Sequence, residues 1–191
     1  MPLFTFAMNV KLKTLSVYLV DLNGSVEWPA PIRRRVEANF KRVVDANSKF
    51  SGVSVQWTSR VPKLADSDLI CYFVDSHSDS VAREVGSGAL GESGTTRGGH
   101  KETVSEVYLR GHQDNPKGLG NVAFHELMHN VLQIGNDLHQ KPGMSMGREE
   151  ATEHTPLSSQ DISLINWKLV NARKQYTAPI ARIGDPFGGG L

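Results

Sequence analysis

The stretch GLGNVAFHELMHNVLQIGNDLH, residues 118–139, decides how the rest of the chain is read. Val122, Ala123, Phe124, Leu127, Met128, Val131 and Leu132 fall on several sides of a helix that the pattern predicts from about Asn121 to Gln133. A helix that is apolar on several sides is buried, yet this one carries His125, Glu126 and His129. Polar side chains in such a place are costly unless something pairs with them. Residues four apart on a helix lie about 40° from each other and one turn up, so both imidazoles point the same way. The spacing H-E-x-x-H thus directs two nitrogen ligands to one Zn²⁺ at roughly 2.0–2.1 Å. Glu126 sits one residue off that face, near enough to reach a zinc-bound water rather than the metal. There it takes the proton as the water attacks a carbonyl that the ion polarises.

A catalytic zinc has three protein ligands and an open position, so a third must come from downstream. His139 is the candidate, with Gly135 as a C-cap that ends the helix and turns the chain back. Asp137 lies closer, and Glu149, Glu150 and Glu153 lie beyond; each carries a carboxylate that competes for the role. Imidazole is a common and good zinc ligand, which favours His139. The following Pro142-Gly143-Met144-Ser145-Met146-Gly147 is a tight turn holding two methionines.

On these residues the sequence resembles the metzincin clan of zinc metalloendopeptidases. The clan's pattern is H-E-x-x-H-x-x-G-x-x-H, followed by a methionine-containing turn beneath the metal. His125, Glu126 and His129 fit; Gly135 stands three residues late and His139 four late. An insertion of three to four residues is about one helical turn, so a lengthened helix would keep the angular phase of the returning chain. The resemblance implies that Met146, or else Met144, occupies the methionine turn. It also implies an N-terminal lobe whose edge strand pairs with an extended substrate, here Val104, Ser105, Glu106, Val107 and Tyr108. Several clan members place a tyrosine two residues after the turn methionine. Arg148 stands there after Met146, which leaves Arg148, His154 and Tyr176 as candidates for oxyanion help.

The implied fold is α+β and zincin-like, a single catalytic domain over residues 1–191. A mixed twisted sheet with a backing helix and the active-site helix fills residues 10–135. A small irregular C-terminal lobe with a final helix spans 136–180, and a flexible tail follows at 181–191. The implied function is that of a zinc-dependent endopeptidase with Glu126 as general base. Two alternatives stay open: a gluzincin-like peptidase with a glutamate as third ligand, and a non-catalytic zinc-containing module that holds an extended peptide.

Working outward, Leu12–Leu22, Val53–Thr58, Asp68–Asp75 and Thr103–Arg110 read as strands, and apolar positions from Ile32 to Val44 make one face of a helix. Gly86–Gly99 contains a formal G-x-G-x-x-G match but no helix opening on it, and reads as a flexible surface loop. The last helix is predicted from about Ser158 to Lys174. Cys71, the one cysteine of the 191 residues, lies inside an apolar run and reads as a core residue. With 21 Lys+Arg against 20 Asp+Glu, the chain lacks the electrostatic footprint of a nucleic-acid binder. The partner it calls for is a protein or peptide substrate, acting on a monomer. The opening residues do not read as a signal peptide, and no apolar run approaches the roughly 20 residues of a membrane span. No propeptide of useful length precedes the first strand, and an unrestrained peptidase endangers its own cytoplasm. The reading therefore leans to an effector or toxin domain exported by a non-classical route, with a cytoplasmic protein as the alternative.

Overall fold

Alternating burial along Lys13–Val20 (β1) sends Leu15, Val17 and Leu19 into the main core, as the two-residue period of a strand requires. The helix Pro29–Asp45 (α1) follows, with proline in its first turn, where a missing N–H leaves no intrahelical bond unmade. It buries Ile32, Val36, Phe40, Val43 and Val44 along one face. Then come the strands Phe50–Thr58 (β2), Leu69–Val74 (β3), Gly91–Thr95 (β4) and Thr103–Tyr108 (β5). The helix Pro116–Leu132 (α2), a 3₁₀ turn over Asn136–Gln140 and the helix Ser159–Asn171 (α3) complete the order. The computed structural model describes residues 13–46, 50–65, 68–75, 91–95, 103–109, 113–132, 136–146 and 152–171.

The five strands form one sheet in the order β2-β1-β3-β5-β4. β2, β1, β3 and β5 run parallel, and β4 pairs antiparallel with β5, Ser93 opposite Ser105. β3 lies in the middle and is buried on both faces, which its unbroken apolar run anticipates. One face, with Leu69, Cys71 and Phe73 from β3, shares a single buried cluster with α1, α2 and Ile165 of α3. The other carries Val20, Ile70 and Tyr72, flanked by Val61 and Leu64. The architecture is therefore mixed α/β, with a backing helix and a buried second helix as expected. No helix among the described residues is long and apolar enough to cross a membrane.

α2 is buried from Gly118 to Leu132, sandwiched between the sheet, α1 and α3. Phe40 and Phe124 meet edge to face with ring centroids 4.7 Å apart, holding α1 against α2. The two helices come closest at Gly120. A Cβ there would stand 2.7 Å from the Cβ of Arg35 and 3.1 Å from the carbonyl of Ile32, so only glycine permits this approach.

Three expectations are corrected. α2 starts at Pro116, before the predicted Asn121, because the Asn115 side chain caps the N–H of Gly118 at 2.9 Å and Pro116 suits the first helical position. Within the glycine-rich 86–99 stretch, residues 91–95 form a strand whose ladder to β5 overrides its weak local propensity. As a result Val104, Ser105, Glu106, Val107 and Tyr108 are not the edge: β5 is flanked by β3 and β4, and β4 is the edge strand. The predicted tail at 181–191 lies outside the described residues.

Candidate metal centre

α2 carries His125 and His129 one turn apart, and the 3₁₀ turn brings His139 to meet them. The sequence suggested a lengthened helix in this interval. α2 is described as far as Leu132, and a 3₁₀ turn over Asn136–Gln140, anchored by the fully buried Leu138, presents His139; residues 133–135, with the expected cap at Gly135, lie outside the described residues. The three Nε2 atoms form a near-equilateral triangle: His125 to His129 3.1 Å, His129 to His139 3.1 Å, His139 to His125 3.2 Å. His125 and His129 are buried and His139 half-buried. Among the described residues, no other group of three or more His, Cys, Asp or Glu brings its ligand atoms together in this way.

The tautomer of His125 follows from its partner. Its Nδ1 lies 2.7 Å from the carbonyl oxygen of Met146, which only accepts, so Nδ1 carries the proton and donates it. Nε2 then presents a lone pair to the centre of the triangle. Burial pushes the ring's pKa down to about 3, helped by the neighbouring His129 and His139 and opposed by the Met146 bond. The ring is thus neutral near pH 7, the form a metal requires. Three imidazole nitrogens facing one another at this distance outline a pocket that a cation would fill. A tetrahedral ion at about 2.0–2.1 Å from each nitrogen sets them roughly 3.3 Å apart, close to the observed triangle. Three imidazole donors suit a divalent first-row ion, and the residues fit one.

Met144 and Met146 are both buried in the main core, and Met146 is the one whose backbone carbonyl meets His125. Glu126 is buried next to His125 on α2, and its carbonyl accepts a bond from the Ser105 hydroxyl at 3.0 Å, pinning the helix to β5. Asn130 donates in turn to that hydroxyl. The Cys71 thiol is fully buried and its pKa is raised by that burial, then by the negative charge of Glu126 and Glu106. It is a core residue, as its run implied.

Of the competing carboxylates, Glu153 is the one among the described residues. The carboxylate of Glu153 meets the exposed ring of His154 at 3.1 Å, which takes both away from the histidine triangle. Arg148, Glu149, Glu150 and Tyr176 lie outside the described residues, as does the side chain of Asp137. Sequence reasoning missed a buried polar link behind the site. Arg35 Nε and Asn39 Nδ2 both donate to Asn121 Oδ1, at 2.7 and 3.1 Å, while Asn121 Nδ2 donates to the carbonyls of Thr152 and Thr155. Arg35 also donates to the Glu153 carbonyl at 3.2 Å, so α1 and α2 together hold the segment leading to α3. A lone asparagine in an apolar helix, such as Asn121, was the available signal.

Compared with known proteins, the chain matches no family model and no curated sequence.

Proposed function

We propose that the chain is a zinc-dependent endopeptidase of metzincin-like architecture, with His125, His129 and His139 as ligands and Glu126 as general base. The observation that carries the reading is the convergence within 3.2 Å of three imidazole nitrogens, two of them on the helix that also bears Glu126. A site with three protein ligands leaves a coordination position open, which distinguishes catalytic from structural zinc. When bound, zinc there supplies a Lewis acid toward a peptide carbonyl and lowers the pKa of water to about 7.

The chain's own residues supply the rest. The Met146 carbonyl holds His125 in the tautomer that offers Nε2. The Glu126 carboxylate accepts a proton from the attacking water and passes it to the nitrogen of the leaving amine, so the proton count balances when the peptide bond breaks. Phe124, Leu127, Met128 and Met146 are buried in the main core that carries the two helix histidines. Among the described residues β4 is the edge of the sheet and pairs with β5 alone, which supports a substrate bound by strand addition.

The test is a peptide library incubated with the zinc-loaded chain and with Glu126→Gln. Cleavage by the parent, and a loss of roughly 10²–10⁴-fold or more in the variant at unchanged zinc content, is the expected result. A parent that holds one zinc and cuts nothing would favour a peptide-binding module; a variant as active as the parent would remove Glu126 from the role of base.

A further inference from the structure

We infer that Asp161 is a positioning residue of the metal centre: its carboxylate fixes the Met146 turn, whose carbonyl in turn orients His125. The inference rests on the metal-centre reading above. Asp161 is fully buried in the first turn of α3. Its Oδ2 accepts from the Ser158 N–H at 2.8 Å and from the Ser158 hydroxyl at 2.7 Å, and the Asp161 N–H donates to the Ser158 Oγ at 3.1 Å. Those bonds make a capping box and would satisfy the helix end by themselves.

The same oxygen accepts two bonds that a cap does not need. The N–H of Ser145 reaches it at 3.2 Å and the N–H of Met146 at 3.0 Å, from sixteen and fifteen residues back in the chain. Met146 is thereby held on both sides: its N–H rests on Asp161, and its carbonyl accepts the proton of His125 Nδ1 at 2.7 Å. A continuous path of three groups joins α3 to a ligand on α2. Removing the carboxylate should therefore loosen the ligand, not only the helix.

Zinc affinity, read by competition with a chromophoric chelator, and the visible absorption of the cobalt-substituted chain test this on the full protein. The chains compared are the parent, Asp161→Ala, Asp161→Asn and Ser158→Ala, with urea unfolding of the metal-free forms to rank stability. Outer partners of metal ligands are typically worth 10–100-fold in affinity, and Asp161→Ala should lose an amount in that range and shift the cobalt bands. Asp161→Asn keeps an acceptor oxygen without the charge and should fall between that variant and the parent. Ser158→Ala weakens the same helix cap but leaves the Ser145 and Met146 bonds, so it should lose stability while keeping the parent's affinity and bands. Parent-like affinity and bands in both Asp161 variants would overturn the inference, as would a Ser158→Ala variant that loses as much affinity as Asp161→Ala. If Asp161→Ala does not fold, Asp161→Asn against Ser158→Ala decides on the same terms. A parent that binds no metal overturns the metal-centre reading, and this inference with it, before any variant is compared.

Discussion

His139 is the candidate that the structure brings to the two helix histidines, while Glu149, Glu150 and the side chain of Asp137 lie outside the described residues. The Nε2 of His139 stands 3.1 and 3.2 Å from those of the two helix histidines, while the Glu153 carboxylate is engaged with His154. His139→Ala leaves two protein ligands and should lower zinc affinity by several orders of magnitude; Glu153→Ala should bind zinc as the parent does. Equilibrium zinc titration checks the pair, and the reverse ranking would point to a glutamate-ligated site. His125 and His129 were legible because the helical period alone fixes their relative direction. Met146 was legible only as a methionine near the site, since its contact is made through a backbone carbonyl that every residue possesses. Asp161 left a partial trace, the Ser-x-x-Asp capping pattern from Ser158. Nothing in that pattern tells of the two further N–H groups it accepts.

Among the elements, α2 depends on a close crossing with α1 that a sequence reading cannot see. Gly120 looks like a helix breaker, and intrinsic propensity favours alanine there by about 1 kcal/mol. The crossing argues the other way, because the new Cβ would lie 2.7 Å from Arg35 Cβ, an atom fixed to the α1 backbone. Overpacking of this kind costs about 1–3 kcal/mol, so Gly120→Ala should be net destabilising. A shift of the denaturation midpoint to lower urea checks it, and a stabilised variant would show that α1 yields freely. The same blindness explains β4. Its five residues hold two glycines and little apolar pattern, and they become a strand only because β5 offers a ladder. β3 and α1 were legible for the opposite reason: burial on both faces and burial on one face write different periods into the sequence.

Over the whole molecule, the histidine triangle joins parts of the chain that are far apart in sequence. α2 contributes two of its histidines, the 3₁₀ turn the third, and the Met146 turn, tied to α3 through Asp161, accepts a hydrogen bond from one of them. An ion held there bridges these elements in the folded state and has no preformed site in the unfolded chain, so its binding stabilises the fold. At a free zinc concentration 100 times the dissociation constant the gain is about 2.7 kcal/mol. Chelation should therefore lower the melting temperature, with restoration on adding zinc, whereas identical melting with and without metal would separate the triangle from the fold's stability. The central claim is that these three imidazoles, and no other protein group, hold one zinc ion with a position left open. Zinc K-edge X-ray absorption of the reconstituted chain tests it most directly. The account predicts one zinc per chain with three imidazole nitrogens and one further light-atom ligand from solvent; a fourth protein ligand, a sulfur shell or the failure to take up zinc would contradict it.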